Sequence, residues 1–212
     1  MSARRVTRRA ALLAIAGTLA GAAALAHSPA STGTAVPADP VLPKDPLAGR
    51  FGGPFELTRH DGRRVHDTDF RGSFLLVYFG YTRCDDLCPL DLSVISRALD
   101  LLGPAATRIQ PLFITVDPER DTPEALAAYV SGFSPRLVGL TGSEAEIAAV
   151  AKAYKVHRRK LKSDLGDQTA YIVDHGSLTF LMGPDGGFLT LLPHNTEPET
   201  MARVIGKYVK VG

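Results

Sequence analysis

The continuous apolar run FLLVYF at 74–79 is the feature that most constrains the fold of this chain. A run of this length without polar alternation is typical of a strand that is buried on both faces of a sheet. A second such run follows at 109–116, and apolar residues with helical periodicity lie between the two runs, over 90–102. The segment therefore predicts a strand–helix–strand unit of an α/β protein.

Turn and capping residues predict the remaining elements. His60-Asp61-Gly62 lies between two short apolar stretches and predicts an N-terminal hairpin. Thr122 and Ser143 each occupy the N-cap position of a predicted helix, and the second helix extends to about residue 154. Further strands are predicted at 137–140, 178–182 and 188–192, and a last helix over about 198–209. This order suits a thioredoxin-like α/β fold, with a central mixed sheet flanked by helices and an N-terminal β-hairpin extension, but other α/β folds share it.

The N-terminal segment differs in composition from the rest of the chain. Four arginines, ending at Arg8 and Arg9, precede an uncharged stretch over 10–26 that closes with an A-x-A pattern. We therefore predict that residues 1–26 are a signal peptide or an N-terminal membrane anchor, which directs export across the bacterial inner membrane to the periplasm. Residues 27–50 are rich in small residues and proline and predict a flexible linker, so the folded domain is expected over 51–212.

The charges of the chain are balanced, with 24 Lys and Arg against 22 Asp and Glu. No basic stripe interleaved with aromatic residues is present, which excludes nucleic acid as an expected partner. The chain has only two cysteines, too few for the disulfide framework of a small secreted domain.

Those two cysteines, Cys84 and Cys88, lie between the first buried strand and the helix that follows it. A spacing of four residues places them on one face of a helical turn, where the sulfurs can converge on one ion or form a disulfide. The helix N-terminus favours the thiolate form, and thiolates are soft ligands that suit Cu(I). A structural zinc site would need a second pair of ligands, which the sequence lacks. An inert buried pair or a structural disulfide stays open.

Five other residues are candidates for the same metal or disulfide site or for its surroundings. His175 follows a short apolar stretch and precedes an apolar strand, so it is expected on a loop at the edge of the core. From the sequence alone, a role as a ligand and no special role are equally expected for it. Asp117 ends a buried strand and starts a turn. Asp174 either orients His175 or faces solvent. His157 begins a basic run expected at a solvated strand end, and His194 lies in a loop.

Three segments resemble the Sco/SenC family. FGYT at 79–82 leading into C-x-x-x-C-P is similar to the signature of that family, and TVDPERDT at 115–122 and YIVDH at 171–175 are similar to two of its other segments. The resemblance covers about residues 50–211. The chain departs from the family pattern at Arg83, Asp85 and Gly176, none of which is an expected ligand.

The resemblance implies a thioredoxin-like domain that binds copper, as Cu(I) or Cu(II), through Cys84, Cys88 and His175. It also implies that the Asp117 carboxylate lies near the cysteine pair and tunes its chemistry. The implied function is that of a monomeric metallochaperone, which assists assembly of the dinuclear copper site of cytochrome c oxidase subunit II or serves another cuproprotein, and which receives copper from a periplasmic donor.

A thiol–disulfide oxidoreductase that reduces the cysteines of that subunit, or of another cuproprotein, is the alternative. It needs an exchangeable Cys84–Cys88 pair but has no strict need of His175. Turnover of a small-molecule substrate is not expected under either hypothesis.

Overall fold

The computed structural model of the protein describes Leu47 and residues 49–162 and 171–209. The predicted signal peptide or anchor over 1–26 and nearly all of the predicted linker over 27–50 lie outside the described residues. Within the described ranges, no helix has both the length and the apolar character needed to cross a membrane. Leu47 already packs against the core of the domain, and the backbone N–H of Arg50 donates to its carbonyl oxygen over 2.9 Å.

A seven-stranded mixed sheet forms the centre of the domain, and a two-stranded sheet lies beside it. The strands are β1 (Glu56–Arg59), β2 (Arg64–His66), β3 (Phe74–Gly80), β4 (Ile109–Thr115), β5 (Val138–Thr141), β6 (Arg158–Lys162), β7 (Tyr171–His175), β8 (Leu178–Met182) and β9 (Phe188–Pro193). The large sheet has the order β2-β1-β5-β4-β3-β8-β9, and the small sheet has the order β6-β7. Strands β3, β4 and β5 are parallel, while β1, β2, β8 and β9 pair antiparallel.

Helices cover both faces of the large sheet. They are α1 (Leu87–Leu102), α2 (Pro123–Ser131), α3 (Glu144–Ala153) and α4 (Pro198–Ile205). Val77 of β3 belongs to a core cluster that includes α3, whereas its neighbour Leu76 belongs to a second cluster that includes α1, α2 and α4. Successive side chains of a strand point to opposite faces, so β3 is buried along its whole length.

The sequence-based prediction of fold class is confirmed, because the domain has a thioredoxin-like mixed sheet flanked by helices, and the hairpin β1–β2 joins its edge through β5. Two helix boundaries were predicted wrongly. Helix α1 begins at Leu87 instead of Leu90. The apolar periodicity was read only from after Pro89, but proline is tolerated in the first turn of a helix. Helix α4 ends at Ile205, and Gly206 follows as its C-cap residue.

The second sheet was also not predicted. The basic run that begins at His157 was expected at a solvated strand end, but Arg158 to Lys162 form strand β6. It pairs antiparallel with β7, with Arg158 opposite His175. His175 is therefore the last residue of a strand and not a loop residue. Neither strand has a regular pattern of buried residues, so hydrophobic periodicity carried no signal for this pair.

Candidate metal centre

The cysteine pair lies at the point where β3 passes into α1. Cys84 precedes the helix, and Cys88 lies in its first turn, so the expectation of two cysteines on one face of a helical turn is corrected. Asp86 occupies the N-cap position without making a side-chain capping hydrogen bond. The Cys84 sulfur instead accepts the backbone N–H of Cys88 over 3.4 Å, one of the amide groups that a helix N-terminus leaves without an intrahelical partner. Both cysteines are free thiols in this structure.

The two sulfurs differ in access. Cys88 is fully buried, and its sulfur packs against Gly80 at the end of β3. Cys84 is only partly buried. A ligand or a partner protein therefore reaches Cys84 before it reaches Cys88.

The two thiols also differ in pKa. A hydrogen bond from Cys88 is the main cause that lowers the pKa of Cys84 to about 3, and hydrogen bonds from His175 and from backbone N–H groups add to it. The same hydrogen bond, together with burial, raises the pKa of Cys88 above the ordinary thiol value. The pair therefore consists of a partly exposed thiolate and a buried thiol, and a thiolate is the form that binds metal.

His175 completes the group. Its Nε2 lies 3.7 Å from the Cys88 sulfur, and its ring meets the Tyr81 ring edge-on, at 5.9 Å between centroids and 84° between planes. Its Nδ1 lies 3.1 Å from the carbonyl oxygen of Gly176. A carbonyl oxygen only accepts, so Nδ1 donates to Gly176, and Nε2 is the nitrogen that faces the Cys88 sulfur. Nε2 is therefore the ring nitrogen of His175 that is placed to bind a metal together with the cysteines.

Asp117 is fully buried but its partners are not the cysteines. Its carboxylate forms an ion pair with Arg120 and accepts the Tyr171 hydroxyl over 2.8 Å. The Arg120 guanidinium lies 3.7 Å from the centroid of the Tyr171 ring and donates to the Tyr171 carbonyl oxygen over 3.1 Å. Asp117 thus contacts the start of β7, the strand that ends in His175.

Asp121 has the contact with the cysteine loop that the sequence reasoning expected of Asp117. It is fully buried, accepts the Thr82 backbone N–H over 3.0 Å and accepts the Thr82 hydroxyl over 2.6 Å. The Thr115 hydroxyl donates to the same carboxylate over 2.7 Å. Burial raises its pKa, and no ion pair to it exists among the described residues. Its place in the TVDPERDT segment was the available signal, but nothing in that segment favours Asp121 over Asp117.

Asp174 does not contact the His175 ring in the described part of the chain. Its carboxylate lies 3.6 Å from His157 and 3.4 Å from Arg159, both on the neighbouring strand or just before it. Strand alternation explains this, because adjacent residues of β7 point to opposite sides.

A second histidine–carboxylate pair was missed by sequence reasoning. His194 lies 2.9 Å, through Nδ1, from the carboxylate of Asp91, which is 8% exposed and sits on α1. The pair joins the loop before α4 to the helix that carries Cys88. Within residues 47, 49–162 and 171–209, no group of three or more His, Cys, Asp or Glu side chains is already arranged around a metal position.

Comparisons with known proteins match this chain to one family. The family model described as SCO1/SenC matches residues 43–210. The protein sco1 of Schizosaccharomyces pombe is 42% identical over 160 residues, which cover 75% of this chain and 61% of that protein. The mitochondrial SCO1 homolog of Homo sapiens is 44% identical over 162 residues, which cover 76% of this chain and 53% of that protein. The chain thus spans between half and two thirds of the length of these relatives.

Two solved structures are similar in fold and sequence. ScoI of Bradyrhizobium japonicum, solved with copper bound, has a TM-score of 0.68 and 42% identity and covers 74% of this chain and 99% of its own. BsSco, described as having a disulfide switch and as a member of the Sco family of cytochrome c oxidase assembly proteins, has a TM-score of 0.59 and 28% identity. The match with BsSco covers 77% of this chain and 94% of the other.

Proposed function

The chain belongs to the SCO1/SenC family, and from that premise we propose that it is a copper metallochaperone for the dinuclear copper site of cytochrome c oxidase subunit II. Copper is the cargo of this proposed function and is taken up by Cys84, Cys88 and His175. The copper-bound relative from Bradyrhizobium japonicum and the family description of BsSco support the proposal.

The observation that carries the proposal is the position of His175 relative to Cys88. An imidazole whose Nδ1 proton is already bound by a backbone carbonyl presents Nε2 to a buried sulfur at 3.7 Å. Two sulfurs and one imidazole form a soft, three-donor set that accepts copper in either oxidation state. A set of three donors leaves a coordination position open, through which a ligand of the receiving protein can enter before the first ligands leave.

The thiol–disulfide reductase hypothesis receives less support. A reductase needs the exposed thiolate and its buried partner, but it has no strict need of His175. The partly exposed Cys84 thiolate fits both hypotheses. The arrangement of His175 therefore favours copper transfer over reduction of a client.

We further propose that the protein acts outside the cytoplasm. The arginine-rich start and the uncharged stretch over 10–26 support a signal peptide or membrane anchor. Fractionation of cells that express the full chain with a C-terminal tag would test this, with the periplasm or the membrane as the expected fraction. Recovery in the cytoplasm alone contradicts it.

A copper titration tests the function. The reduced full chain is titrated with Cu(I) and with Cu(II) against a competing chelator, in parallel with Cys84→Ala, Cys88→Ala and His175→Ala. One tight copper per chain is expected, and each of the three substitutions is expected to weaken it strongly. His66→Ala is the matched control, because His66 is exposed on β2, outside this group of side chains. Unchanged affinity in His175→Ala, or weak binding beside a readily cycling disulfide, contradicts the proposal and favours the reductase.

A further inference from the structure

Residues 117–121 form a tight turn, here called the 117–121 turn, between β4 and α2. The backbone N–H groups of Arg120 and Asp121 both donate to the carbonyl oxygen of Asp117, over 3.2 and 3.0 Å. The Thr115 hydroxyl donates to the Asp121 carboxylate and accepts the backbone N–H of Asp117 over 2.9 Å. The two ends of the turn are thereby fixed to each other and to the end of a central strand. Each end carries a carboxylate that is fully buried.

The Asp121 end contacts the cysteine loop. Both oxygens of Asp121 accept from Thr82, one from its hydroxyl over 2.6 Å and the other from its backbone N–H over 3.0 Å. Thr82 lies two residues before Cys84 in the chain. Two hydrogen bonds to one residue restrict both its position and its rotation, which in turn restricts where the following loop can place the Cys84 sulfur.

The Asp117 end contacts the strand of the histidine. Asp117 accepts the Tyr171 hydroxyl over 2.8 Å, and Arg120 binds the same tyrosine through its ring face and its carbonyl oxygen. Strand β7 belongs to the small sheet, which has no ladder hydrogen bonds to the large one among the residues that the structure describes. Side-chain contacts such as these therefore determine where β7, and His175 at its end, lie relative to the cysteines.

We propose that the 117–121 turn is a positioning element that sets the separation between the cysteine pair and His175, with Asp121 acting through Thr82 and Asp117 acting through Tyr171. Neither carboxylate binds the metal. The relevance of this separation to copper rests on the proposed function, because one ion can bind both sulfurs and the imidazole only if they approach within bonding distance together.

A purely structural role for these buried carboxylates predicts a different pattern from a positioning role. Loss of a buried hydrogen bond that only stabilises the fold increases amide hydrogen exchange throughout the domain. Loss of a positioning contact increases motion of the one segment that it holds. The two ends of the turn contact different segments, so each can be perturbed while the other serves as its control.

Three variants test the proposal in the full chain. Thr82→Val removes the hydroxyl that Asp121 binds, and Thr82→Ser retains a hydroxyl at the same place. Tyr171→Phe removes the hydroxyl that Asp117 binds but keeps the ring under Arg120. Amide hydrogen exchange is measured by NMR on the copper-free reduced protein, and copper affinity is measured separately by chelator competition.

We expect Thr82→Val to accelerate exchange over 82–88 and leave 171–175 unchanged, and Tyr171→Phe to do the reverse. Each should weaken copper binding by about ten- to hundredfold, the usual effect of losing a group that orients a metal ligand. Thr82→Ser should restore both properties.

The proposal is overturned if amide exchange accelerates equally in both segments or in neither. It is also overturned if Thr82→Ser does not restore the wild-type pattern. Unchanged copper affinity beside a local change in exchange also overturns it. If the wild-type chain binds no copper, the proposed function fails, while the exchange pattern alone still decides whether the turn positions the two segments.

Discussion

A Cβ atom on Gly80 would lie 2.9 Å from the Cys88 sulfur and 2.8 Å from a ring atom of Phe113. Both neighbours are fully buried and cannot retreat into solvent. We therefore expect Gly80→Ala to displace the sulfur, to lower the free energy of unfolding by about 1–3 kcal/mol as overpacked cores do, and to weaken copper binding. Urea unfolding and a copper titration measure these effects. Gly132→Ala is the control, since Gly132 is the exposed C-cap residue of α2 and has a φ of −73°, which alanine adopts readily. Equal results for the two variants would contradict the prediction.

The two thiols should react with iodoacetamide at very different rates. The pKa of Cys84 is lowered to about 3, so its thiolate persists as the pH falls from 8 to about 5, where an ordinary thiol is protonated. Labelling of Cys84 should therefore change little over this range. Cys88 is buried and its pKa is raised, so it should stay unlabelled in the folded protein.

Mass spectrometry of the digested protein assigns the label to each cysteine. Denatured protein supplies the control, because both thiols then titrate as ordinary thiols and label at similar rates. A tenfold loss of Cys84 labelling for each pH unit below 8 would show an unperturbed thiol and contradict the prediction.

His194 should be needed for stability but not for copper. It is the hydrogen-bonding partner of the nearly buried Asp91 carboxylate, and removing such a partner costs about 1–3 kcal/mol. We expect His194→Ala to lower the free energy of unfolding by that amount while copper affinity stays at the wild-type value. Urea unfolding and the copper titration, run beside His175→Ala, separate the roles of the two histidines. A loss of copper affinity as large as that of His175→Ala would place His194 in the metal centre.

Acid stability should depend on Glu146. Hydrogen bonds from Arg64 and from Ser143 lower the pKa of Glu146 to about 2. A carboxylate with a lowered pKa in the folded state contributes stability above its unfolded pKa, and the contribution is lost as the pH falls towards the folded value. The difference in unfolding free energy between wild type and Glu146→Gln should thus be constant from pH 7 to about 5 and shrink between about 4.5 and 2.

Because 32% of the Glu146 side chain is exposed and solvent screens its ion pair, the difference should be below about 1 kcal/mol. Denaturant unfolding at a series of pH values measures it. Ser131→Ala, at an exposed position of α2 and without a titratable group, is the control, and its effect on the unfolding free energy should not change with pH. A constant difference down to pH 2 would argue against the prediction.

The sequence predicted the parts of the fold that have a local signal. Strands β3 and β4 are buried on both faces and appear as continuous apolar runs, and the caps Thr122 and Ser143 mark two helix starts with their own side chains. Strands β6 and β7 have no such signal because they stabilise each other through backbone pairing and charged side chains at the surface. The placement of His175 on a strand could therefore not be read from periodicity.

The candidate site was predicted to a similar extent. The proximity of Cys84 and Cys88 follows from their spacing, and their nearness to His175 was implied only by family resemblance. The roles of Asp117 and Asp121 could not be separated, because both are acidic residues of one turn and differ only in which distant segment their side chains meet. Contacts of this kind depend on tertiary packing and leave no periodic pattern in the chain.

The position of His175 at the end of β7 affects the order in which the candidate site forms during folding. The two cysteines arise from a single strand–turn–helix unit, whereas His175 lies 87 residues beyond Cys88. Contacts between such distant positions form late, after the intervening chain has closed its own loops. A chain that is still emerging or only half folded thus presents two thiols without their imidazole. If copper binds as proposed, tight binding reports that folding is complete, because only the folded domain brings Cys84, Cys88 and His175 together.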